Sequence, residues 1–530
     1  MTRWAITVDL NRCVGCQTCT SSCKHANATT PGVQWRKVLD FEVGAFPDVS
    51  RAFVPVGCMH CEEPSCLEVC PSTATRKRDD GIVTIDYDIC IGCGYCIVAC
   101  PYQARYRVDA PEPAYGKGRQ MRHEAVTADP KLLGVAQKCT FCVDRIDSGL
   151  TAGLIPGVDE AATPACIASC ISGALQMGDL DDPESNVSQL LASHQHSRMH
   201  EDLGNGPGFY YLHDQASDQA APVGPPPMVE NPPGLAAVSP KLQQHWDWRA
   251  AMNFILGGSG TGLFAANMLA GPASWWIAFL ALAMVGIGLA HVWAEIGKKL
   301  RFLNVFRHPQ KSWMSREALI ALPFFALGGL AWLMGLSDIG PARLFGAFAA
   351  IFALAFLYAQ GRILRASKGI PLWRRPEIVA LIVATGLTEG VGMLAALLVM
   401  AERGAPDWLA GALVILLAIR LGTWLHYRNA VRWNGAPSKA IAALDAWPVM
   451  GALAQLALMG LALVAVVPVW QPIGELTLFG AGLGAAMTGW AFKFNLVTKA
   501  AYDQGYAINR MPARGAGKSR AGLQPGWSRA

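Results

Sequence analysis

The cysteines are the residues of this chain best suited to chemistry, and they are confined to its first third. The chain has 530 residues; all sixteen cysteines precede residue 171, and the remaining 360 residues contain none. They form four groups of four, of which only the last has a long internal interval. The groups are Cys13, Cys16, Cys19 and Cys23; Cys58, Cys61, Cys66 and Cys70; Cys90, Cys93, Cys96 and Cys100; and Cys139, Cys142, Cys166 and Cys170.

The spacing within these groups predicts four [4Fe–4S] clusters and therefore electron transfer. A cubane cluster needs four thiolates, and a C-x2-C-x2-C turn supplies three of them from one loop. The first and third groups have that spacing, and Pro71 and Pro101 directly follow Cys70 and Cys100. Zinc is one alternative, but zinc sites rarely add two further cysteines at these intervals. Disulfides are another, which a large chain without a recognisable secretory signal disfavours.

The fourth cysteine of each group is expected to serve a different cluster from the first three. The short runs resemble those of two-cluster ferredoxins, in which the last cysteine of a run binds the neighbouring cluster. The resemblance implies two interleaved pairs of clusters. The implied ligand sets are Cys58, Cys61, Cys66 with Cys100; Cys90, Cys93, Cys96 with Cys70; Cys13, Cys16, Cys19 with Cys170; and Cys139, Cys142, Cys166 with Cys23.

The second half of the chain is predicted to lie in a membrane. The chain is 52% hydrophobic and only 16% charged. Eight apolar stretches follow residue 249, each near the ~20 residues that a membrane-spanning helix needs. The alternative, buried helices of a soluble protein, requires shorter amphipathic segments. The stretches are 250–270, 274–296, 317–336, 342–360, 376–400, 407–427, 446–468 and 472–493.

The loop charges predict which side of the membrane carries the cysteines. The loops on the N-terminal side carry fourteen basic residues, whereas the opposite loops carry only Arg343 and Arg403. The positive-inside rule then places both termini and the cysteine-rich part in the cytoplasm, at an inner membrane crossed several times. The N-terminal MTRWAITVDL, which has neither an apolar core nor twin arginines, agrees. The fourteen residues are Lys298, Lys299, Arg301, Arg307, Lys311, Arg316, Arg362, Arg365, Lys368, Arg374, Arg375, Arg428, Arg432 and Lys439.

These patterns predict two domains and two connecting or terminal segments. The predicted fold class is an α+β ferredoxin-like domain with tandem cluster-binding repeats, followed by an all-α eight-helix transmembrane bundle. The domains span 1–204 and 246–500, joined by a Pro-rich linker at 205–245 and followed by a basic, disordered tail at 501–530. The prolines of the linker are Pro222, Pro225, Pro226, Pro227, Pro232, Pro233 and Pro240.

Two stretches of the cysteine-rich part carry a family resemblance. CMHCEEPSCLEVCP (58–71) and CIGCGYCIVACPYQARY (90–106) resemble the four-cluster subunit of the dimethyl sulfoxide reductase family of molybdoenzymes. The resemblance covers residues 1–200. One departure is the interval of 23 residues between Cys142 and Cys166, which leads us to expect altered solvent exposure of that cluster. Cys61 is present, which implies a complete four-iron cluster at the second group.

The apolar part resembles a different chain of the same kind of complex. WDWRAAMNFILGGSGTG (246–262) and EIGKKLRFLNVFRHPQKSWMSRE (295–317) resemble the polysulfide reductase-type (NrfD-like) quinone-binding anchor. The two parts are usually separate chains, so this sequence is a fusion. The sequence contains no molybdopterin-binding catalytic domain. The resemblance therefore implies a partner subunit with a molybdenum or tungsten bis-pyranopterin cofactor, and ubiquinone or menaquinone in the membrane.

The resemblance also implies a substrate and an assembly. The stretch VQWRKVLDFEVGAFPDVSRAFVPVGC (33–58) looks most like the electron-transfer subunit of phenylacetyl-CoA:acceptor oxidoreductase, whose coenzyme A thioester is cytoplasmic. Sulfite dehydrogenase and polysulfide, thiosulfate or dimethyl sulfoxide-type reductases are alternatives. Expected partners are the catalytic subunit, membrane lipid and quinone, with a dimer of heterodimers as the assembly. Nucleic acid is not expected, because basic loops and the tail account for the net charge of +5.

Three polar residues near helix ends are candidates for quinone chemistry. Asn253 is close to two glycines on an apolar helix, where its amide could bond a quinone carbonyl or instead join two helices. His291 and Glu295 lie four residues apart on one face of the next helix. A histidine beside an acid suits proton delivery to a reduced quinone. The alternative is a solvated pair at the helix end.

Two charged residues lie deeper in the apolar stretches. Glu389 is about halfway along the fifth stretch, and Arg420 is inside the sixth. A charge at such depth costs ~2.5–3.5 kcal/mol on insertion scales, so it usually faces the bundle interior and pairs. The two predict either a proton path toward the quinone or a buried ion pair. Lys493 is expected to extend to the membrane surface, and the GGSGTG run at 257–262 to serve close helix packing rather than nucleotide binding.

The sequence therefore supports three classes of function. The leading one is an electron-transfer and membrane-anchor subunit of a quinone-linked oxidoreductase, an enzyme subunit whose catalytic metal lies on another chain. The second is a proton-translocating redox module, because Glu389 and Arg420 could couple electron flow to proton movement. The third is a ferredoxin-like scaffold with a purely structural anchor.

Overall fold

The computed structural model divides the chain into two compact units. The first unit comprises residues 1–241 and 503–529, and the second comprises residues 242–502. The structure describes residues 2–215 apart from gaps at 44–46, 48, 111–112, 114, 117–118 and 128; residues 235–511 apart from gaps at 271–273, 338–339, 402–404, 434–435 and 467–470; and residues 520–523.

The first unit combines short strands with short helices. Its strands are β1 (Trp4–Asp9), β2 (Lys37–Val43), β3 (Ser50–Val56), β4 (Thr75–Lys77), β5 (Val83–Ile85), β6 (Tyr106–Arg107), β7 (Ala136–Gln137), β8 (Leu175–Asp179), β9 (His194–Ser197), β10 (Phe209–Gln215), β11 (Ile508–Met511) and β12 (Arg520–Leu523). Its helices are α1 (Thr18–Ala26), α2 (Ser65–Glu68), α3 (Tyr95–Val98), α4 (Arg122–Thr127), α5 (Val143–Thr151), α6 (Ala165–Ala168) and α7 (Asn186–Ser193).

A four-stranded sheet joins the two ends of the cysteine-rich region. Its order is β8–β1–β10–β9, with β1 antiparallel to β8 and parallel to β10. Ile6 of β1 lies opposite Met177 and Phe209, and all three side chains are buried. Because residues 4–8 of β1 are buried without alternation, both faces of this strand are covered. The remaining strands form two-stranded pairs, of which β2–β3, β4–β5 and β6–β7 lie between successive cysteine groups and β11–β12 lies after the last helix.

The cysteine turns depend on residues in the left-handed backbone conformation. In the first group Gly15 and Gln17 have φ of +70° and +62°, and in the third group Gly92 and Gly94 have φ of +70° and +75°. Glycine adopts this conformation readily, whereas Gln17 does so as an exception. The matching reversals fold both C-x2-C-x2-C runs in the same way. Each group's third cysteine then lies in a helix: Cys19 in α1, Cys66 in α2, Cys96 in α3 and Cys166 in α6.

The first unit extends beyond the boundary that the sequence predicted. Strand β10 lies inside the expected linker at 205–245, yet it pairs with β1 and β9 in the sheet. The expectation that the linker begins at residue 205 is therefore wrong, because 209–215 supplies a strand of the core sheet. Most of the prolines fall in 216–234, outside the described residues. Pro240 is described, and it is buried.

The first part of the expected disordered tail also packs in this unit. The side-chain amide of Gln504 donates to the Pro101 carbonyl at 3.2 Å, and the Tyr506 backbone N–H donates to the Val238 carbonyl at 2.9 Å. Gln504 and Tyr506 are both almost fully buried. Disorder from residue 501 is therefore the wrong expectation for residues 503–508, because their side chains have buried partners.

The regular elements described in the second unit are all helices. Its helices are α8 (Trp248–Leu269), α9 (Trp275–Glu295), α10 (Trp313–Leu336), α11 (Ala342–Ala366), α12 (Glu377–Met400), α13 (Asp407–Trp433), α14 (Ser438–Asp445), α15 (Ala452–Val464) and α16 (Gln471–Thr498).

Five of the described helices, α9 to α13, are long and apolar enough to cross a membrane. Each of the eight predicted stretches contains a helix, but the count of eight membrane-spanning helices stays a prediction. The seventh stretch, 446–468, contains only the 13-residue α15. It is shortened at its start, where Pro448–Met450 forms a separate 3-10 turn before Gly451. The predicted order, an α+β ferredoxin-like region followed by a helical region, is confirmed.

Helix α12 lies at the centre of the second unit. It packs against α8, α11, α13 and α16. Close approach depends on paired glycines: a Cβ added at Gly390 would overlap the backbone of Gly262, and one added at Gly482 would overlap Gly392. Gly262 belongs to the GGSGTG run, so small residues in that run do allow the close helix packing that we expected.

Candidate functional site

The first and fourth cysteine groups lie together. Burial, followed by the neighbouring thiolates of Cys139, Cys166 and Cys142, raises the pKa of Cys23. Burial likewise raises the pKa of Cys19 to about 11; Arg36 opposes this shift, and Cys166, Cys13 and Cys170 add to it. The structure thus places Cys23 beside the later cysteines and Cys170 beside the earlier ones, in the crossed arrangement that the ferredoxin resemblance implies.

The second and third groups show the same crossing. Burial and then the thiolates of Cys66, Cys58 and Cys100 raise the pKa of Cys61. Burial and then Cys96, Cys70 and Cys90 shift the pKa of Cys93 upward. We name the four assemblies set 1 (Cys13, Cys16, Cys19, Cys170), set 2 (Cys139, Cys142, Cys166, Cys23), set 3 (Cys58, Cys61, Cys66, Cys100) and set 4 (Cys90, Cys93, Cys96, Cys70).

Each set neighbours the next in a fixed order. Cys19 of set 1 is close enough to Cys166 of set 2 for their charges to interact. Cys139 of set 2 interacts with Cys58 of set 3 in the same way, and Cys66 of set 3 interacts with Cys96 of set 4. The order of neighbours is therefore set 1, set 2, set 3, set 4, which is an arrangement suited to stepwise electron transfer.

The sets differ in solvent exposure. In set 1 Cys16 is exposed, and the adjacent Val14 and Ile171 are 53% and 73% exposed. All four thiols of set 2 are buried. The long interval between Cys142 and Cys166 forms α5 and the 3-10 turn Glu160–Ala162, which pack against each other at Gly149 and Ala162. The departure from the family spacing therefore adds a folded segment and leaves the set 2 thiols buried.

The donors around the cysteines fit iron–sulfur clusters. All sixteen cysteines are described, and all are free thiols, so the disulfide alternative is wrong. In the described part of the chain, no three His, Cys, Asp or Glu side chains converge on a position for a single metal ion.

Arg36 Nε and Nη1 and Arg105 Nη2 are buried beside the thiols without a hydrogen-bond partner there. Positively charged N–H donors of this kind would meet the anionic sulfur surface of a cluster.

In the second unit, the deep acid Glu389 has a partner that the sequence did not predict. Lys493 Nζ lies 2.7 Å from Glu389 Oε2, and both side chains are fully buried. The Ser259 hydroxyl donates to the same oxygen at 2.8 Å and accepts from Trp490 Nε1 at 2.8 Å. The expectation that Lys493 extends to the surface is wrong, because its ammonium turns inward to a carboxylate.

Arg420 is also buried, but it bonds to neutral groups. Its Nε and Nη2 donate to Gln455 Oε1 at 2.9 and 2.6 Å, and Nη1 donates to the Ala485 carbonyl at 2.8 Å. Nη2 also donates to the Thr488 hydroxyl at 2.9 Å. Glu389 and Arg420 therefore do not form the direct ion pair that was one alternative, although both lie in the bundle interior.

Asn253 belongs to a second buried polar cluster. The Gln360 side-chain amide donates to the Asn253 carbonyl at 2.9 Å, and the Glu317 carboxyl lies beside the side-chain amides of Asn253 and Gln360. All three side chains are buried. One oxygen of each, Asn253 Oδ1, Glu317 Oε1 and Gln360 Oε1, has no hydrogen-bond partner among the described residues. We call these three residues the amide–acid cluster.

The structure gives His291 and Glu295 separate surroundings. The His291 ring bonds the Ile287 carbonyl of its own helix at 2.8 Å and packs edge-on against Trp248, with ring centroids 5.4 Å apart. Glu295 is buried, and its Oε1 accepts from the Asp247 backbone N–H at 3.2 Å. Asp247 is the residue that caps the start of α8. The predicted pair therefore shares a helix face and joins α9 to the beginning of α8.

Sequence reasoning missed Glu317, Gln360 and Ser259 as members of buried polar clusters. Glu317 stands at the edge of an apolar stretch, where charged residues are common. Gln360 is followed by the basic residues at the end of α11, so the sequence there is typical of the start of a loop. The available signal was helical spacing, because Gln360 lies four residues after the buried Phe356 on the same face of α11.

Two family models match parts of the chain. A model described as a 4Fe-4S dicluster domain matches residues 49–115. A model described as the DMSO reductase anchor subunit (DmsC) matches residues 274–472. The first match contains all the cysteines of sets 3 and 4, and the second begins just before α9 and extends to the start of α16.

Curated relatives match about two fifths of this chain and most of their own length. A selenate reductase subunit of Mesobacillus selenatarsenatis is 41% identical over 224 residues, which cover 40% of this chain and 72% of the relative. A putative dimethyl sulfoxide reductase iron-sulfur subunit of Halobacterium salinarum is 38% identical, over 41% of this chain and 81% of the relative. A sulfite dehydrogenase subunit of Allochromatium vinosum is 35% identical, over 40% and 83%. The chain therefore belongs to the electron-transfer iron–sulfur subunits of the dimethyl sulfoxide reductase family, joined in one polypeptide to a DmsC-type membrane anchor.

Proposed function

We propose that this chain carries electrons between a catalytic partner with a molybdenum or tungsten bis-pyranopterin cofactor and the membrane quinone pool, through four [4Fe–4S] clusters. The observation that carries the proposal is the grouping of sixteen thiols into four sets, each completed by a cysteine distant in sequence. Each set has the four thiolates that a cubane cluster requires. The clusters, when bound, supply one-electron steps, and the protein holds them in the order of the sets.

The crossing of ligands gives this proposal a direct test. Replacing Cys23 or Cys142 with serine should remove the same cluster signal from the electron paramagnetic resonance spectrum of the reduced chain, because both residues belong to set 2. Replacing Cys170 or Cys13 should remove a different signal, that of set 1. Matching iron and sulfide analyses give the loss of one cluster in each variant.

The opposite match between variants and lost signals would refute the assignment of ligands to sets. If Cys23→Ser removed the signal that Cys13→Ser removes, each short run would serve its own cluster and the sets would be wrong. A chain that retained zinc in place of iron and sulfide, with no paramagnetic signal on reduction, would refute electron transfer itself.

Set 1 is the proposed terminal toward the catalytic partner. Its Cys16 is exposed, unlike the cysteines of the enclosed set 2, and Val14 and Ile171 add exposed apolar surface next to the cysteines of this set. Burial of this surface by another subunit would bring that subunit's cofactor close to the first cluster. Exposed apolar side chains around a redox group are suited to such a contact.

The amide–acid cluster is the proposed site for the quinone head group. A quinol carries two hydroxyl donors, and the cluster offers three buried acceptor oxygens without partners among the described residues. Asn253 and Gln360 would orient the ring, while Glu317 can take a proton from it or return one. His291 and Glu295, at the end of α9, and Glu389 and Arg420, deeper in the bundle, remain proposed proton-carrying residues.

The cytoplasmic location of the first unit stays a proposal based on loop charge. Residues 298–316, which include the 3-10 segment Lys299–Arg307, and residues 362–375, before α12, carry eleven of the fourteen basic residues. Arg343 lies in the first turn of α11, and Arg403 falls outside the described residues. On the positive-inside rule, the ends that carry the excess face the cytoplasm.

The substrate of the partner is proposed from resemblance alone. Phenylacetyl-CoA is our first proposal, because the stretch 33–58 resembles the corresponding electron-transfer subunit and a coenzyme A thioester is cytoplasmic. Sulfite is the second, supported by the 35% identity to the sulfite dehydrogenase subunit. The catalytic polypeptide that co-purifies with the full chain from membranes decides between them, because its pocket binds the substrate.

Proton translocation is a second candidate function, favoured by the buried Lys493–Glu389 pair. An ion pair with both side chains fully buried is costly in a membrane interior and is commonly functional there. Reconstituted vesicles distinguish the two functions, since proton uptake beyond the amount that quinone reduction consumes indicates pumping.

A further inference from the structure

Three cations are buried among the cysteine sets, one at each junction between neighbouring sets. Arg36 and Lys138 are each 1% exposed, and Arg105 is 3% exposed. Within the described part of the chain, none of the three has a carboxylate as a salt-bridge partner. Basic side chains are almost never fully buried unless they are paired. The thiols around them are therefore the groups that must compensate their charge.

Arg36 lies between sets 1 and 2. Its Nη2 is 3.8 Å from Cys166 Sγ of set 2, and its charge also interacts with Cys19 of set 1. The guanidinium stacks over the Phe209 ring of β10, 4.8 Å from the ring centroid. This ring fixes the position of the cation, because a planar guanidinium stacks well on an aromatic face.

Arg105 occupies the equivalent position between sets 3 and 4. Its charge interacts with Cys66 of set 3 and with Cys96 of set 4. Its Nη1 donates to the Thr75 hydroxyl at 3.0 Å, and this bond orients the guanidinium. Nη2 has no hydrogen-bond partner among the described residues. Arg36 thus lies between sets 1 and 2 as Arg105 lies between sets 3 and 4.

Lys138 fills the remaining junction, between sets 2 and 3. Its Nζ donates to the Val83 carbonyl and, at 2.7 Å, to the Cys139 carbonyl of set 2. Its charge interacts with Cys58 of set 3 and with Cys139 of set 2. One cation therefore lies between each set and the next.

The physical effect of such a cation follows from charge. Reduction of a cluster adds one negative charge, and a fixed positive charge in a low-dielectric interior stabilises the reduced form. We propose that the fixed positive charges of Arg36, Lys138 and Arg105 raise the reduction potentials of the clusters on both sides of their junctions. This inference rests on the four-cluster function proposed above.

The test is a redox titration of the full-length chain in detergent, followed by paramagnetic resonance. Arg36→Gln should lower the equilibrium constant for reduction at least tenfold for the clusters of sets 1 and 2, which is ~59 mV per electron. Arg105→Gln should lower that constant similarly for sets 3 and 4 only. The single Cys→Ser variants described above assign each signal to its set.

Matched variants separate charge from folding. Arg36→Lys and Arg105→Lys keep the charge and should restore the original potentials. Arg51→Gln removes an exposed arginine that pairs with Asp40 at 2.7 Å in the same unit, and it should shift none of the four signals. If Arg36→Gln lost iron, Lys138→Gln would serve in its place, with shifts expected in sets 2 and 3.

Two results would overturn the inference. The first is potentials in both glutamine variants that match those of Arg51→Gln while all four clusters are present. The second is a shift of the same signals by Arg36→Gln and Arg105→Gln, which would mean a general loosening of the unit. Absence of the four signals from the unmodified chain would instead refute the proposed function.

Discussion

The ion pair between Lys493 and Glu389 stands out at the scale of single residues. Both side chains are fully buried, and the Ser259 hydroxyl supplies a further bond to the carboxylate. Desolvation of two such charges costs several kcal/mol for each ion, and their attraction must offset this cost. The two residues lie on adjacent helices, α12 and α16. Because their charges are costly to bury, the pair is suited to exchanging a proton when a neighbouring group changes its charge.

We expect Glu389→Gln to slow quinol-linked reduction of the clusters at least tenfold, because the amide cannot accept or release a proton. Reduction of the clusters by dithionite should be unchanged, since it does not involve the second unit. The measurement compares both rates in the purified chain.

Glu377→Gln is the matched control for that variant. Glu377 lies on the same helix, but it pairs with Arg375 near the helix start at 3.3 Å and is partly exposed. It should leave both rates unchanged. An equal loss of the dithionite and quinol rates in Glu389→Gln would show that the pair only supports the fold.

The residues differ in how far their roles could be predicted. Cysteine spacing predicts iron–sulfur ligands, because a short loop can bring several thiols to one cubane cluster. The crossing that assigns Cys170 to set 1 is implied by the resemblance to two-cluster ferredoxins. The partner of Glu389 was not predictable, because Lys493 is 104 residues away in sequence and only the packing of α12 against α16 brings the two together.

At the scale of elements, helix α12 determines how the second unit packs. Its glycines allow the backbone of α8 to approach at Gly390 and that of α16 to approach at Gly392. The same helix positions Glu389, which directly precedes Gly390. Small residues at helix crossings are a common means of association in membranes.

Gly390→Ala should destabilise the second unit by about 1–3 kcal/mol, since the added methyl group would overlap the backbone of α8. The measurement is the temperature at which the full chain unfolds in detergent. Gly411→Ala, on α13, is the control, because a Cβ there meets nothing within 4 Å. Equal melting temperatures for both variants would contradict the role of close packing.

Elements were predicted well where composition determines them. Apolar length alone located α9 to α13, because an apolar run of that length has few alternatives. Strand β10 was missed, because Gly206, Pro207 and Gly208 precede it and a Pro-rich run follows. Its place in the sheet depends on pairing with β1, more than 200 residues earlier, which local sequence does not encode.

At the scale of the whole molecule, the C-terminal residues complete the first unit. The His200 ring bonds the Gly505 carbonyl at 3.1 Å, and Tyr506 is buried beside Val238. Gln504 bonds the carbonyl of Pro101, the residue that follows Cys100 of set 3. The cysteine sets thus depend on residues from both ends of the polypeptide.

A stop after Tyr502 should accelerate loss of iron from the first unit, because burying Tyr506 and Gln504 contributes roughly 2–3 kcal/mol. The measurement is the rate of iron transfer to a chelator, with membrane insertion checked by fractionation. A stop after residue 523 retains both β11 and β12 and should behave as the full chain. Equal rates for the two truncations would contradict the stabilising role of residues 503–508.

The position of residues 503–508 in the sequence also determines when the first unit can be completed during translation. A ribosome makes the cysteine-rich region first, yet the last part of that unit emerges only after every helix of the anchor has been translated. The first unit therefore lacks this segment until the helices of the second unit have been translated. If the gene were split between 216 and 234, the second polypeptide would still carry this segment, which would then tie the two products together.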